Sequence, residues 1–148
     1  MEVEVDVVNR GPGSIDADLA IEWSVCLSGG GGNPAAYYEV AADGSYGAAA
    51  VRSPHDGADD LAAADGIAFG NDHDGVRVDV TVEPACRLTW FPIETVSNSE
   101  GGFERVYQGS SLLARWPLAL AVGDSISVRQ RFAIAEARDL AIEATVAG

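Results

Sequence analysis

Apolar and polar residues trade places at every second position through much of this chain, and that period confines those runs to strands. Val3, Val5 and Val7 alternate with Glu2, Glu4 and Asp6, and Leu19, Ile21, Trp23, Val25 and Leu27 extend the pattern over a longer run. Val76, Val78, Val80 and Val82 alternate with Arg77, Asp79 and Thr81; Ile126, Val128, Phe132 and Ile134 do so with Ser127, Arg129, Arg131 and Ala133. A last stretch, Leu140, Ile142, Ala144 and Val146, closes the series. Successive strand side chains point to opposite faces, so each run predicts one wet face and one core face, as antiparallel sheets require. No long stretch has an apolar stripe at helical spacing. Many strands without crossover helices predict an all-β fold, an antiparallel β-sandwich of two packed sheets.

Turn chemistry separates the runs. Asp43-Gly44, Asp56-Gly57, Asp65-Gly66 and Asp74-Gly75 are predicted turns, because Gly accepts positive φ and Asp bonds its own backbone. Asn9-Arg10-Gly11-Pro12-Gly13 parts the first two strands, and Gly29-Gly30-Gly31-Gly32-Asn33-Pro34 predicts a loop. The Ala-rich piece Asp59-Asp60-Leu61-Ala62-Ala63-Ala64 predicts one short helical turn. With 148 residues the chain is expected to form a single domain, residues 1–148, burying roughly 70% of its unfolded surface.

A hydrophobic fraction of 47% argues for a packed core rather than disorder. A formal charge of −14 repels a phosphate backbone and an anionic membrane surface, so neither nucleic acid nor membrane is an expected partner. Neutral ligands stay compatible. All nine cationic residues are Arg, for which GC-rich coding is the favoured cause and adaptation to high salt the alternative. The start, Met1-Glu2-Val3-Glu4-Val5-Asp6, has neither signal-peptide nor transit-peptide character, and a cytoplasmic location is expected. Cys26 and Cys86 read as small, buried, reduced residues; neither belongs to a Cys-x-x-Cys pair, so metal binding is not expected.

From Trp90 to Gly109 large apolar residues interleave with hydrogen-bonding ones, a mixture simple surface loops rarely show. Within it Pro92, Ile93, Thr95, Ser97, Ser99, Glu100 and Gly102 lead to Gln108 and Gly109, followed by Ser110-Ser111-Leu112-Leu113 and Trp116-Pro117-Leu118. This block resembles the C-terminal β-sandwich domain of the α-amylase and 4-α-glucanotransferase enzymes of glycoside hydrolase family 57, where Pro-Ile-x-Thr-x-Ser-x-Ser-Glu-x-Gly precedes a Gln-Gly pair. The first half of the chain agrees only loosely. The resemblance implies a supersandwich of galactose mutarotase type, of which this chain is all or part. It also implies a separate catalytic barrel carrying the nucleophilic and acid carboxylates, and no such barrel fits in this length. The expected role is therefore a non-catalytic C-terminal domain of an α-glucan-processing enzyme, packing on that barrel and shaping its glucan site. A bare sheet edge would favour self-association if the chain is only part of the sandwich.

Which residues would serve that role? The carbohydrate or interdomain contact candidates are Trp90, Glu94, Thr95, Ser97, Asn98, Ser99, Glu100, Glu104, Tyr107 and Gln108. Sugars offer polar edges and a partly apolar face, which hydrogen-bonding groups beside an aromatic ring recognise. Against that stands a structural reading, in which Trp90 and Trp116 are core and Tyr107 anchors a corner. As a catalytic pair Glu94 and Glu100 would need a separation of about 5 Å, or about 6.5–9.5 Å for inversion, which a turn at Ser97-Asn98 would give. Carboxylates are common on a surface this acidic, so no catalytic residue is assigned. Asn71-Asp72-His73-Asp74-Gly75 lacks the later Glu and the spacing of a calcium loop and reads as an Asx-stabilised turn; no metal or cofactor is expected. No Gly-x-Ser-x-Gly elbow and no phosphate-cradling loop occurs. Two alternatives stand beside the accessory-domain reading. One is a stand-alone module binding α-glucan oligosaccharide; the other is a mutarotase-like epimerase, for which only His55 and His73 could supply the imidazole.

Overall fold

A computed structural model describes residues 1–27, 32–41, 44–45, 50–99 and 102–136. In chain order the strands are β1 (Glu2–Val8), β2 (Ile15–Val25), β3 (Ala36–Ala41), β4 (Ala50–Pro54), β5 (Asp59–Asn71), β6 (Val76–Ser99), β7 (Gly102–Leu120) and β8 (Ser125–Glu136). Every pairing is antiparallel. Among the described residues there is no helix, so none that could cross a membrane. The run from Leu140 to Val146, the first three glycines of the tetraglycine (Gly29 to Gly31) and Asp43 lie outside the described residues.

β6 organises the molecule. Its first part, Val76–Glu83, pairs with β8, and its second, Arg87–Ser99, pairs with β7. The change of partner falls at Pro84, which has no N–H to give a ladder. β5 follows β6 through both parts, with register shifts between Leu61 and Gly66. One layer thus runs β1-β8-β6-β5-β3-β4 and the other carries β2 and β7 on the second part of β6. The layers meet face to face: Trp23 of β2 stands 4.8 Å edge-on to Phe132 of β8 and donates its indole N–H to Gln130 Oε1 at 2.6 Å. Leu88, Trp90, Leu112, Ala114, Trp116, Ile67, Val80 and Val128 fill the space between, each almost fully buried. The antiparallel β-sandwich expected from periodicity is what the chain forms.

Three local expectations differ. Asp59–Ala64 is strand, not helical turn: Asp59, Asp60 and Leu61 pair with Trp90, Thr89 and Leu88, and that ladder outweighs the helix propensity of alanine. Asp65-Gly66 lies within β5 at its register shift rather than in a connection. Cys26 is exposed, because it continues the outward phase of β2; Cys86 alone is buried, and both are free thiols. Within the loop that parts β1 from β2 as expected, Asn9 is fully buried and donates to the carbonyls of Gly13, Leu120 and Ala121, stapling the β1–β2 turn to the end of β7.

Burial pushes the Cys86 thiol up to about 11, partly offset by a backbone hydrogen bond with Arg115. Burial also pushes the Tyr38 hydroxyl up to about 12; it approaches the Ser110 hydroxyl without completing a hydrogen bond. Both groups hold their protons more tightly in the folded chain than in the unfolded one. Their contribution is intact below pH 9 and drains away as pH climbs through about 11 for Cys86 and about 12 for Tyr38. Urea melts at pH 8 and pH 11 should therefore show alkaline destabilisation, and Cys86→Ala should remove roughly 2 kcal/mol of that pH-dependent loss. An unchanged pH dependence in Cys86→Ala would rule this out.

Candidate functional site

The resemblance block forms one hairpin. Beyond Ile93 and Gly109 the two strands pair only with each other among the described residues: Glu94 opposite Tyr107, Thr95 opposite Val106, Val96 opposite Arg105, Ser97 opposite Glu104, Asn98 opposite Phe103. The extra residue at Gln108 makes a bulge, which re-aims the arm where it leaves the sandwich. Side chains alternate across it. Glu94, Val96, Asn98, Phe103, Arg105 and Tyr107 share one face; Thr95, Ser97, Glu104 and Val106 share the other, continuing from Phe91 and Ile93.

The base of the arm is buried and polar. Tyr107 donates to or accepts from Ser110 Oγ at 2.7 Å, and its ring lies 4.5 Å edge-on to His55. Ser110 Oγ donates to the His55 carbonyl at 3.5 Å. A Cβ on Gly109 would sit 3.1 Å from the Val25 carbonyl, so the end of β2 crosses close to the backbone here. His55 follows β4 in a turn, yet it is fully buried, with its ring against Tyr107. Its two ring nitrogens, the Tyr38 hydroxyl and the Trp90 indole N–H have no hydrogen-bond partner among the described residues.

The ten sequence candidates fall into three groups. Trp90 is 1% exposed and packs 5.9 Å from Tyr38, so it offers no face to a ligand from solvent; Tyr107 is buried at the corner. Glu94, Thr95, Ser97, Asn98, Glu104 and Gln108 lie along the arm. Glu94 is held at 3.3 Å by Arg105, and Gln108 donates to Thr95 Oγ1 and the Val106 carbonyl, both at 3.3 Å. Ser99 pairs with Gly102 at the far end; its side chain and Glu100 lie outside the described residues. Ser97 and Asn98 are strand residues, not the turn that a Glu94–Glu100 pairing presumed. Sequence reasoning missed the apolar members: Phe103 is 83% exposed and Val96 62% on one face, with Phe91, Ile93 and Val106 partly exposed on the other. The signal was there, a large aromatic directly after a Gly-Gly pair at a hairpin tip.

The Asn71–Gly75 segment is the β5–β6 turn, with Asn71 Oδ1 accepting from the His73 and Asp74 amides at 2.9 and 3.4 Å, as the Asx-turn reading expects. At the other end of the sandwich surface Arg87 grips Asp60 in a two-pronged contact and Thr89 donates to the same carboxylate. Those bonds hold the Asp60 carboxyl down at about 2, where it stays charged.

Among the described residues the chain is an all-β sandwich from which one exposed, partly apolar hairpin extends. The sequence profile of the family described as alpha-amylase/4-alpha-glucanotransferase, C-terminal, matches residues 16–129, and the chain belongs to that family. It is 43% identical over 58 residues to alpha-amylase 1 of Dictyoglomus thermophilum, a match covering 39% of this chain and 8% of that protein. The crystal structure of 4-alpha-glucanotransferase from Thermococcus litoralis shares the fold with a TM-score of 0.58 at 16% identity, over 88% of this chain and 16% of that one. The chain thus spans only a small part of either relative's length.

Proposed function

We propose that this chain is the non-catalytic C-terminal domain of an α-glucan-processing enzyme of family 57 type, and that the β6–β7 arm docks it on the catalytic barrel beside the glucan site. The observation that carries this is the exposure of Phe103 and Val96 on an arm that leaves the sandwich, within the block that resembles the family. Large apolar side chains held out in water by a paired hairpin mark a contact surface. The Glu94–Arg105 pair and the Thr95–Gln108 contact would form its polar rim. The small share of each relative that the chain covers leaves ample polypeptide for a barrel.

The chain itself is expected to leave maltooligosaccharides unchanged, and to run unretarded through starch gels. Mixed with the catalytic barrel of a family member, it should form a complex that Phe103→Asp weakens more than about tenfold, while the folding stability of the variant stays within about 0.5 kcal/mol. Hydrolysis or transfer by the chain alone, or a complex indifferent to Phe103→Asp, overturns the reading. Retardation in starch would favour the binding-module alternative.

A further inference from the structure

We propose that the free flank of the sandwich at β1 and β2 is a strand acceptor, taking an extended segment of the remainder of the enzyme that carries cationic residues at every second position. The proposal rests on the accessory-domain reading for its source but on geometry for its site. Among the described residues β2 pairs with β7 alone and β1 with β8 alone, so both layers end in an open edge on the same side. β2 offers eleven regular residues with no proline and no bulge. Its inward row, Leu19, Ile21 and Trp23, is only half-buried, and so are Val3, Val5 and Val7 of β1. Among the described residues the core therefore runs out to water between two unpaired edges, which isolated sheets avoid.

The outward row selects the occupant. Asp16, Asp18 and Glu22 alternate along the exposed side of β2. A second copy, aligned antiparallel with full overlap about Ala20, would set Asp18 against Glu22, and like charges directly opposed are destabilising. A segment with Lys or Arg at those positions instead meets three carboxylates, while apolar residues between them cover Leu19, Ile21 and Trp23. Main-chain bonding supplies affinity and the alternate side chains supply selection, as in strand addition generally.

The test uses the intact chain and a synthetic eleven-residue peptide alternating Val and Lys, with two controls: Glu in place of Lys, and a scrambled Val/Lys order. Amide hydrogen exchange across β2 is the readout. The alternating Lys peptide should slow β2 exchange and bind about tenfold or more tightly than either control, and Asp16→Lys/Asp18→Lys should shift preference to the Glu peptide. Equal binding of the scrambled peptide would reduce the effect to bulk charge and overturn the proposal. So would protection, without peptide, of the edge-facing β2 amides (those not bonded to β7), whether in a monomer or in a dimer seen by light scattering. Failure here would leave the arm and its docking experiment untouched.

Discussion

Trp116→Ala is expected to cost about 3–5 kcal/mol of folding stability, a large share of the total for a domain of this size. The side chain is 2% exposed and packs in the centre of the core cluster between the layers. Its indole N–H donates to the Pro84 carbonyl at 2.9 Å, at the point where β6 changes partner and its own ladder is interrupted. Losing the ring opens a cavity where the two parts of β6 meet, and it takes the donor from the part-buried Pro84 carbonyl. Trp116→Phe should keep most of the packing and lose chiefly the hydrogen bond, costing about 1–3 kcal/mol. Urea melts followed by far-ultraviolet circular dichroism measure both. If alanine costs less than about 1 kcal/mol, the bend of β6 does not depend on this contact.

The period-two runs made β1, β2, β8 and the first part of β6 readable, because each lies on one face of one layer and a local rule decides which side chains are wet. The rule failed where the deciding partner is remote. Gln130 interrupts the apolar phase of β8 and is buried, because Trp23, 107 residues away in sequence, needs an acceptor. Asn9 is buried for carbonyls 111 and 112 residues away. Asp59–Ala64 was misjudged for the same reason: its ladder partners sit on β6, and alanine propensity carries no information about them. At the candidate site the hairpin and its polar members were legible as a block. The re-aiming bulge at Gln108 and the outward stance of Phe103 were not, since alternation counted straight through the block assigns neither.

Arg77 shows how a residue on the outer phase can still be structural. It alternates with valines and so points away from the core, yet its side chain is only 11% exposed. It donates to Glu39 Oε1 and to Asp79 Oδ1, both at 2.9 Å. Glu39 also accepts from Arg52 at 3.1 Å, and the Arg52 guanidinium lies 3.7 Å above the Tyr37 ring. Tyr37 in turn lies over Gly70, where a Cβ would come within 2.8 Å of the phenol oxygen. Burial works against the charge on Arg77, but the nearby Asp79 and Glu39 outweigh it and hold the guanidinium more firmly protonated. Arg77→Met should therefore cost about 3 kcal/mol, because it leaves a largely buried carboxylate without its cation. The loss should fall on Asp79, since Glu39 keeps Arg52. Adding Asp79→Asn to Arg77→Met should accordingly restore about 1–2 kcal/mol, whereas Asp79→Asn alone destabilises. Chemical denaturation of the four proteins in this cycle gives the coupling directly. Additive losses would mean that Arg77 and Asp79 are neighbours without being partners.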